Sequence, residues 1–235
     1  MALGSLSGPR LEPLKGPATH LVVLCHGYGA DGNDLIGLAP HWQSLLPGAA
    51  FAAPNAPQPC PGAGYQWFPL ARIDPEEMHR GVVAAAGALE AFLSQELARL
   101  KLPPDRLALV GFSQGTMMAL HVGLRGALKP AAIVGFSGLL TGPPSEIKDA
   151  PPVLLGHGEA DNVIPPQALF VTAAALGAAG LCVQWHLSPG LPHGIDATEI
   201  ALAGRFLSLA FGGKLKASGE TSCVLGVANP SQRIV

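Results

Sequence analysis

Leu107-Ala108-Leu109-Val110-Gly111-Phe112-Ser113-Gln114-Gly115-Thr116-Met117-Met118 is the stretch whose reading decides the fold. Its first four residues are an apolar run of the kind that forms a strand buried on both faces. From Thr116 onward, Met117, Met118, Leu120 and Leu124 recur at helical spacing. Between the two lies G-x-S-x-G, the pattern that turns a strand sharply into a helix with serine at the apex. Glycine is needed on both sides because the turn brings backbones together. The apex serine gains an exposed hydroxyl and the positive end of the following helix. Ser113 is therefore the candidate nucleophile. Glycine-rich turns of this kind also occur without chemistry, so the assignment depends on partners arriving in the right order.

Working outward, Leu21-Val22-Val23-Leu24-Cys25 reads as a strand that exits into His26-Gly27-Tyr28-Gly29-Ala30-Asp31-Gly32-Asn33. A glycine-rich loop at the carboxyl end of an early strand is where an oxyanion-binding N–H is expected. A helix is predicted over Asp34–Leu46 and a short strand over Ala50–Ala53. Pro54 to Arg72 carries five prolines with Tyr65, Trp67 and Phe68, and is expected to be an ordered flap walling an apolar pocket. Asp74-Pro75-Glu76-Glu77 is a helix start, with Asp74 as cap and Glu77 completing a capping box. That helix should run to about Leu100 and bury Val82, Val83, Ala86, Leu89, Phe92, Leu93 and Leu97. Further strands are expected at Ala131–Phe136, Val153–His157 and Leu181–Leu187, with helices over Pro166–Ala179 and from Asp196 to near Leu209. This alternation predicts an α/β protein with a mostly parallel, doubly wound sheet and helices on both faces. Residues 1–20 form an N-terminal segment, with Leu11 and Leu14 as a candidate edge strand. Residues 21–211 form one domain, and 212–235, small, polar and aperiodic, an appended tail.

Composition narrows the classes. The chain has 235 residues, 49% hydrophobic and 13% charged, against about 25% charged on average, so a large core is available. A net charge of −2 gives no electrostatic case for nucleic acid or an anionic membrane as partner. Cys25, Cys60, Cys182 and Cys223 form no C-x-x-C pair and no zinc spacing, and reduced thiols in a cytoplasmic protein are the expectation. No signal-peptide pattern opens the chain, and the longest weakly polar run, Val171–Val183, is too short to span a bilayer.

In a parallel sheet, functional loops gather at the carboxyl ends of the strands. Glu146 and Asp149 precede their strand, at the wrong end. Glu159 and Asp161 follow it, and Asp161, deeper in the turn beside Asn162, is preferred as the acid. The base must come later still. His186 alternates with its neighbours inside a strand, whereas His193 lies in the exit loop between Pro192 and Gly194. The order Ser113, Asp161, His193 is that of nucleophile, acid and base in an α/β-hydrolase. His193 would take the Ser113 proton, and Asp161 would hold its tautomer. The backbone N–H of Gln114 and one from the first loop, with Tyr28 the first choice, would meet the oxyanion. No metal or cofactor is required by these groups. His26 and His157 begin H-G pairs at strand ends and are expected to order their loops. His41 and His121 are helix residues without an argued role.

These residues resemble a known family. His26-Gly27-Tyr28-Gly29 with Asp34-Leu35, Pro54-Asn55-Ala56-Pro57, Gln66-Trp67-Phe68, Gly111-Phe112-Ser113-Gln114-Gly115, His157-Gly158 with Asp161 and Pro165, and Pro192-His193-Gly194 look like the phospholipase/carboxylesterase family of α/β-hydrolases. That group includes acyl-protein thioesterases, and the chain is most similar to its bacterial esterase branch. The resemblance implies a compact serine hydrolase without a large cap. Its substrate would be a small-molecule acyl ester or thioester, with Tyr28 and Gln114 as oxyanion donors. Trp67 and Phe68, on the flap, are the candidate substrate-binding residues. Thr116 stands where a second glycine is usual after the elbow, and Pro69 where many relatives are polar or acidic. An ester hydrolase is the leading expectation. An acyl-thioesterase or lysophospholipase shares the chemistry, and a non-catalytic binding protein on the same scaffold is the alternative from another class.

Overall fold

The computed structural model describes residues 6–70, 74–147 and 150–215. The elements in order are β1 (Arg10–Leu11), β2 (His20–Cys25), α1 (Gly32–Ile36), α2 (Ala39–Gln43), β3 (Ala49–Ala52), β4 (Gln58–Pro59) and β5 (Tyr65–Gln66). After these come α3 (Pro75–Leu100), β6 (Leu107–Phe112), α4 (Gln114–Arg125), β7 (Ala132–Phe136), β8 (Val153–Gly158), α5 (Gln167–Ala178), β9 (Val183–Ser188) and α6 (Ala197–Phe211). Among the described residues one seven-stranded sheet runs β1-β3-β2-β6-β7-β8-β9. Every pairing in it is parallel except β1 with β3, where Arg10 sits opposite Ala52 and Leu11 opposite Phe51. The expected doubly wound α/β sheet is present, and β4 and β5 form a small hairpin outside it.

Alternation along the strands fills two cores. Leu21, Val23 and Cys25 of β2, with Leu107 and Leu109 of β6, pack on the side of α3, α4 and α5. Val22, Leu24, Ala108 and Val110 face the other way, against Trp42 of α2 and Phe206 and Leu207 of α6. Strands buried on both faces are what a parallel sheet covered by helices demands. Connections leave β2 toward β3 on one side, while β6 lies on the other side and leads on to β7, β8 and β9. The order therefore reverses between β2 and β6, and the crevice at their carboxyl ends is where ligands bind in open α/β sheets.

Three local expectations change. The helix predicted over 34–46 is two short ones. Asp31 caps α1 by accepting from the N–H groups of Asn33 and Asp34, Gly37 ends it, and Pro40 opens α2 in its first turn. On α3 the buried face is Met78, Val82, Ala85, Ala88, Leu89, Phe92, Leu93, Glu96 and Leu97, and Val83 is exposed. Glu96 was not expected inside. Its carboxylate receives Arg10 Nη2 of β1 and Arg99 Nε at 3.0 Å. Burial acts to raise the Glu96 carboxyl, but those two guanidinium bonds outweigh it and hold it low. Cys25 and Cys60 are free and buried, and burial pushes the Cys25 thiol up to about 12. Cys182 is disulfide-bonded, so the reduced-thiol expectation fails there. The tail placed at 212–235 falls outside the described residues beyond Leu215. No helix among the described residues is long and apolar enough to cross a membrane.

Candidate active site

Ser113 stands between β6 and α4 with φ 54° and ψ −117°, a conformation that L-residues rarely adopt. Holding it there costs about 1–3 kcal/mol, stored by the surrounding packing. Its N–H donates to the Phe136 carbonyl at 2.9 Å, which ties the turn to the end of β7. Both motif glycines are sterically required. A Cβ on Gly115 would lie 1.8 Å from the Cys25 carbonyl oxygen, and one on Gly111 would lie 2.4 Å from that of Gly115. Thr116, where a glycine is usual, fits because glycine appears across from it. Its methyl would meet a Cβ on Gly135 at 2.5 Å, and its hydroxyl donates to Phe136 O at 2.8 Å.

The loop after β8 presents Asp161, whose side chain is fully buried. Oδ1 accepts from the backbone N–H groups of Val163 and Ile164, both at 2.9 Å. Oδ2 lies 2.7 Å from Nδ1 of His193, in the loop after β9. Burial works to raise this carboxyl, yet the His193 bond and the two backbone donors prevail and hold it below the usual carboxylate range. A carboxylate only accepts, so Nδ1 of His193 carries the proton and Nε2 is the nitrogen left for other work. The His193 ring packs at 4.8 Å from that of Phe112, beside the serine. Glu159 turns elsewhere, its Oε2 accepting from Gly190 N–H at 3.0 Å. His186 stays in β9, beside Glu199 of α6. His157 ties the acid's turn: its Nε2 donates to Ile164 O at 2.9 Å and lies 3.3 Å from Asp161 Oδ2.

A cavity of about 190 Å³ opens beside Ser113 and His193, with Tyr28 and Gln114 also on its wall. Among the described residues, the backbone N–H groups of Tyr28 and Gln114 donate to no acceptor. The rest of the lining is apolar: Leu70, Met78, Met117, Leu139, Val163 and Ile164. Trp67 and Phe68 are not in it. Both are buried in the α3–α4 core, and the Trp67 indole donates to His26 O at 3.0 Å. What grips them is the Gln114 side chain, which accepts from Trp67 N–H and donates to Phe68 O, each at 2.8 Å. That tie, and the lining by Met78 and Met117, carried no sequence signal, because methionine at helical spacing reads as core. No group of His, Cys, Asp or Glu among the described residues is placed to hold a metal ion.

Fold and cavity together define the class, an α/β-hydrolase with its functional loops at the carboxyl edge of the sheet. Residues 7–211 match the family model for phospholipase/carboxylesterase, and the chain belongs to that family. It is a serine hydrolase acting on ester or thioester bonds. Acyl-protein thioesterase 1 of Gibberella zeae is 27% identical over 232 residues, covering 86% of this chain and 97% of its own. A probable carboxylesterase of Oryza sativa subsp. japonica is 31% identical over 76% of this chain and 73% of its own. The crystal structure of esterase PE8 is similar with a TM-score of 0.83 and 43% identity, over 87% of this chain and 98% of that one.

Proposed function

We propose that the chain hydrolyses small carboxylic esters with short to medium acyl chains through an acyl-enzyme on Ser113. The observation that carries this reading is the 2.7 Å bond from His193 Nδ1 to Asp161, beside the cavity that Ser113 lines. Nε2 of His193 takes the Ser113 proton as Oγ attacks the ester carbonyl, and Asp161 stabilises the resulting imidazolium. The N–H groups of Tyr28 and Gln114 receive the oxyanion, the latter at the positive end of α4. His193 returns the proton to the leaving alcohol, then activates water to release the acid. Cavity size supports the acyl range. A 150 Å³ cavity holds benzene, so about 190 Å³ houses on the order of seven heavy atoms, the ester carbonyl included.

A second reading, hydrolysis of acyl thioesters on proteins, is favoured by the relatives named acyl-protein thioesterase. A graded series of esters and thioesters separates the two readings. Intact mass after treatment with a fluorophosphonate tests the chemistry common to both. One adduct on the parent and none on Ser113→Ala is expected, and a stoichiometric adduct on the alanine variant overturns the assignment.

A further inference from the structure

The loop carrying Tyr28 is held by a histidine outside the proposed triad. His26 directly follows β2, is fully buried, and uses both ring nitrogens. Nε2 receives the Ala56 backbone N–H at 2.9 Å, so that nitrogen holds a lone pair. Nδ1 lies 2.7 Å from the Gly27 carbonyl oxygen, which can only accept, so Nδ1 carries the hydrogen. The two contacts together permit one tautomer, the neutral Nδ1–H form. Burial supports it by lowering the His26 pKa against the opposing Gly27 bond and the charges of Asp31 and Asp34.

The bonded carbonyl belongs to the peptide whose N–H is that of Tyr28. No peptide bond among the described residues is cis, and in a trans peptide C=O and N–H point in opposite directions. Drawing the Gly27 carbonyl toward the buried imidazole therefore turns the Tyr28 N–H away from it. Gly27 itself sits against the elbow, where an added Cβ would be 3.3 Å from Ser113 Cβ, and Tyr28 lines the cavity. The ring cannot tilt freely, because Trp67 packs over it at 5.8 Å and holds the His26 carbonyl through its indole. We propose that His26 is a positioning residue that sets the oxyanion-binding peptide plane through its Nδ1–H bond to Gly27. The inference rests on the reading of Tyr28 N–H as an oxyanion donor.

Two substitutions divide the ring's two bonds. His26→Asn keeps a donor near the position of Nδ1, and His26→Gln keeps an acceptor near that of Nε2. A purely structural His26 makes the two variants equal. Positioning makes Gln the worse one. Removing an oxyanion donor costs about 10²–10³ in kcat, so His26→Gln should lose roughly 30- to 100-fold in kcat with KM within threefold, and His26→Asn at most about tenfold. Affinity for an alkyl boronic acid, which places an oxygen where the oxyanion forms, should fall in step with kcat in the Gln variant. Equal losses in Asn and Gln, or a loss confined to KM, would overturn the proposal. The unmodified protein supplies a test independent of variant folding. Imidazole ¹⁵N chemical shifts should show His26 as the neutral Nδ1–H tautomer, and an Nε2–H tautomer or a cation overturns it. Failure of the Tyr28 reading looks different, because His26 would then keep its Nδ1–H tautomer while boronic acid affinity stayed at the parent's value in both variants.

Discussion

Asp161 takes three hydrogen bonds on two oxygens, and this division of labour separates it from every other acid near the site. One oxygen is spent on the turn and the other on His193, so the proposed base is oriented by a group that is itself held by two backbone bonds. Asp161→Asn should lower kcat by about 10⁴, because an amide favours the wrong imidazole tautomer. The two backbone bonds to Oδ1 survive in the variant, so its melting temperature should stay close to the parent's. Glu159→Gln should leave turnover within about twofold, since Glu159 only receives the Gly190 N–H at the surface. Steady-state kinetics with thermal melts on both variants check this, and the reverse ranking would move the acid. The pairing of Asp161 with His193 was readable because chain order and strand ends are one-dimensional facts. Which oxygen binds what is not, although a role for His157 in ordering the same turn was expected from its H-G pair.

Elements were legible where a local chemical signal marks them and less so where tertiary contacts decide. Asp74 and Asp196 both cap the helices that follow them, as their side-chain chemistry dictates. The break between α1 and α2 was also written locally, in Gly37 and Pro40, but the apolar residues running through it carried the helix expectation across. Glu96 and Glu199 were harder, since nothing local says that a carboxylate will be buried. Glu199 completes the α6 capping box through Oε2, which accepts from Asp196 N–H, while Oε1 is buried without a partner among the described residues. Burial, chiefly, raises its pKa to about 7 from an ordinary 4.5. Over that interval the folded state binds more protons than the unfolded one, so stability falls as pH rises. The penalty is absent below the unfolded value and complete above about 7. Glu199→Gln keeps an acceptor for the cap and removes the titration. Relative to the parent it should gain on the order of 2 kcal/mol between pH 4.5 and 8. Denaturant melts across that range test it, and a pH-independent difference would show that Glu199 is not neutralised by its site.

At the scale of the molecule, the site is assembled from segments far apart in sequence that share one edge of the sheet: Tyr28 after β2, Ser113 after β6, Asp161 after β8 and His193 after β9. That convergence was readable, because a parallel sheet sends every strand exit to the same side. Within the described part of the flap, 54–70, Leu70 borders the cavity as expected, but the aromatics do not. Aromatics between prolines suggested a wall facing substrate, whereas Trp67 faces inward and joins the His26 carbonyl, the Gln114 side chain and the α3–α4 core. The apolar wall comes from Leu70 of the flap together with helix and loop side chains, Met78 of α3 and Met117 of α4 among them. The two arrangements differ in how the loss of a side chain depends on substrate length. Trp67→Phe removes the indole N–H and some volume from a filled core, so it should lower stability by about 1–3 kcal/mol. Its effect on kcat/KM should be the same factor for acetyl and octanoyl esters. Met117→Ala enlarges the cavity and should raise the octanoyl-to-acetyl ratio of kcat/KM, by up to about 0.8 kcal/mol for each methylene newly buried. The melting temperature of each variant, with kcat/KM over an acyl series from acetyl to octanoyl, separates these effects. A length-dependent loss in Trp67→Phe beside an unchanged ratio in Met117→Ala would move the acyl wall to the flap's aromatics.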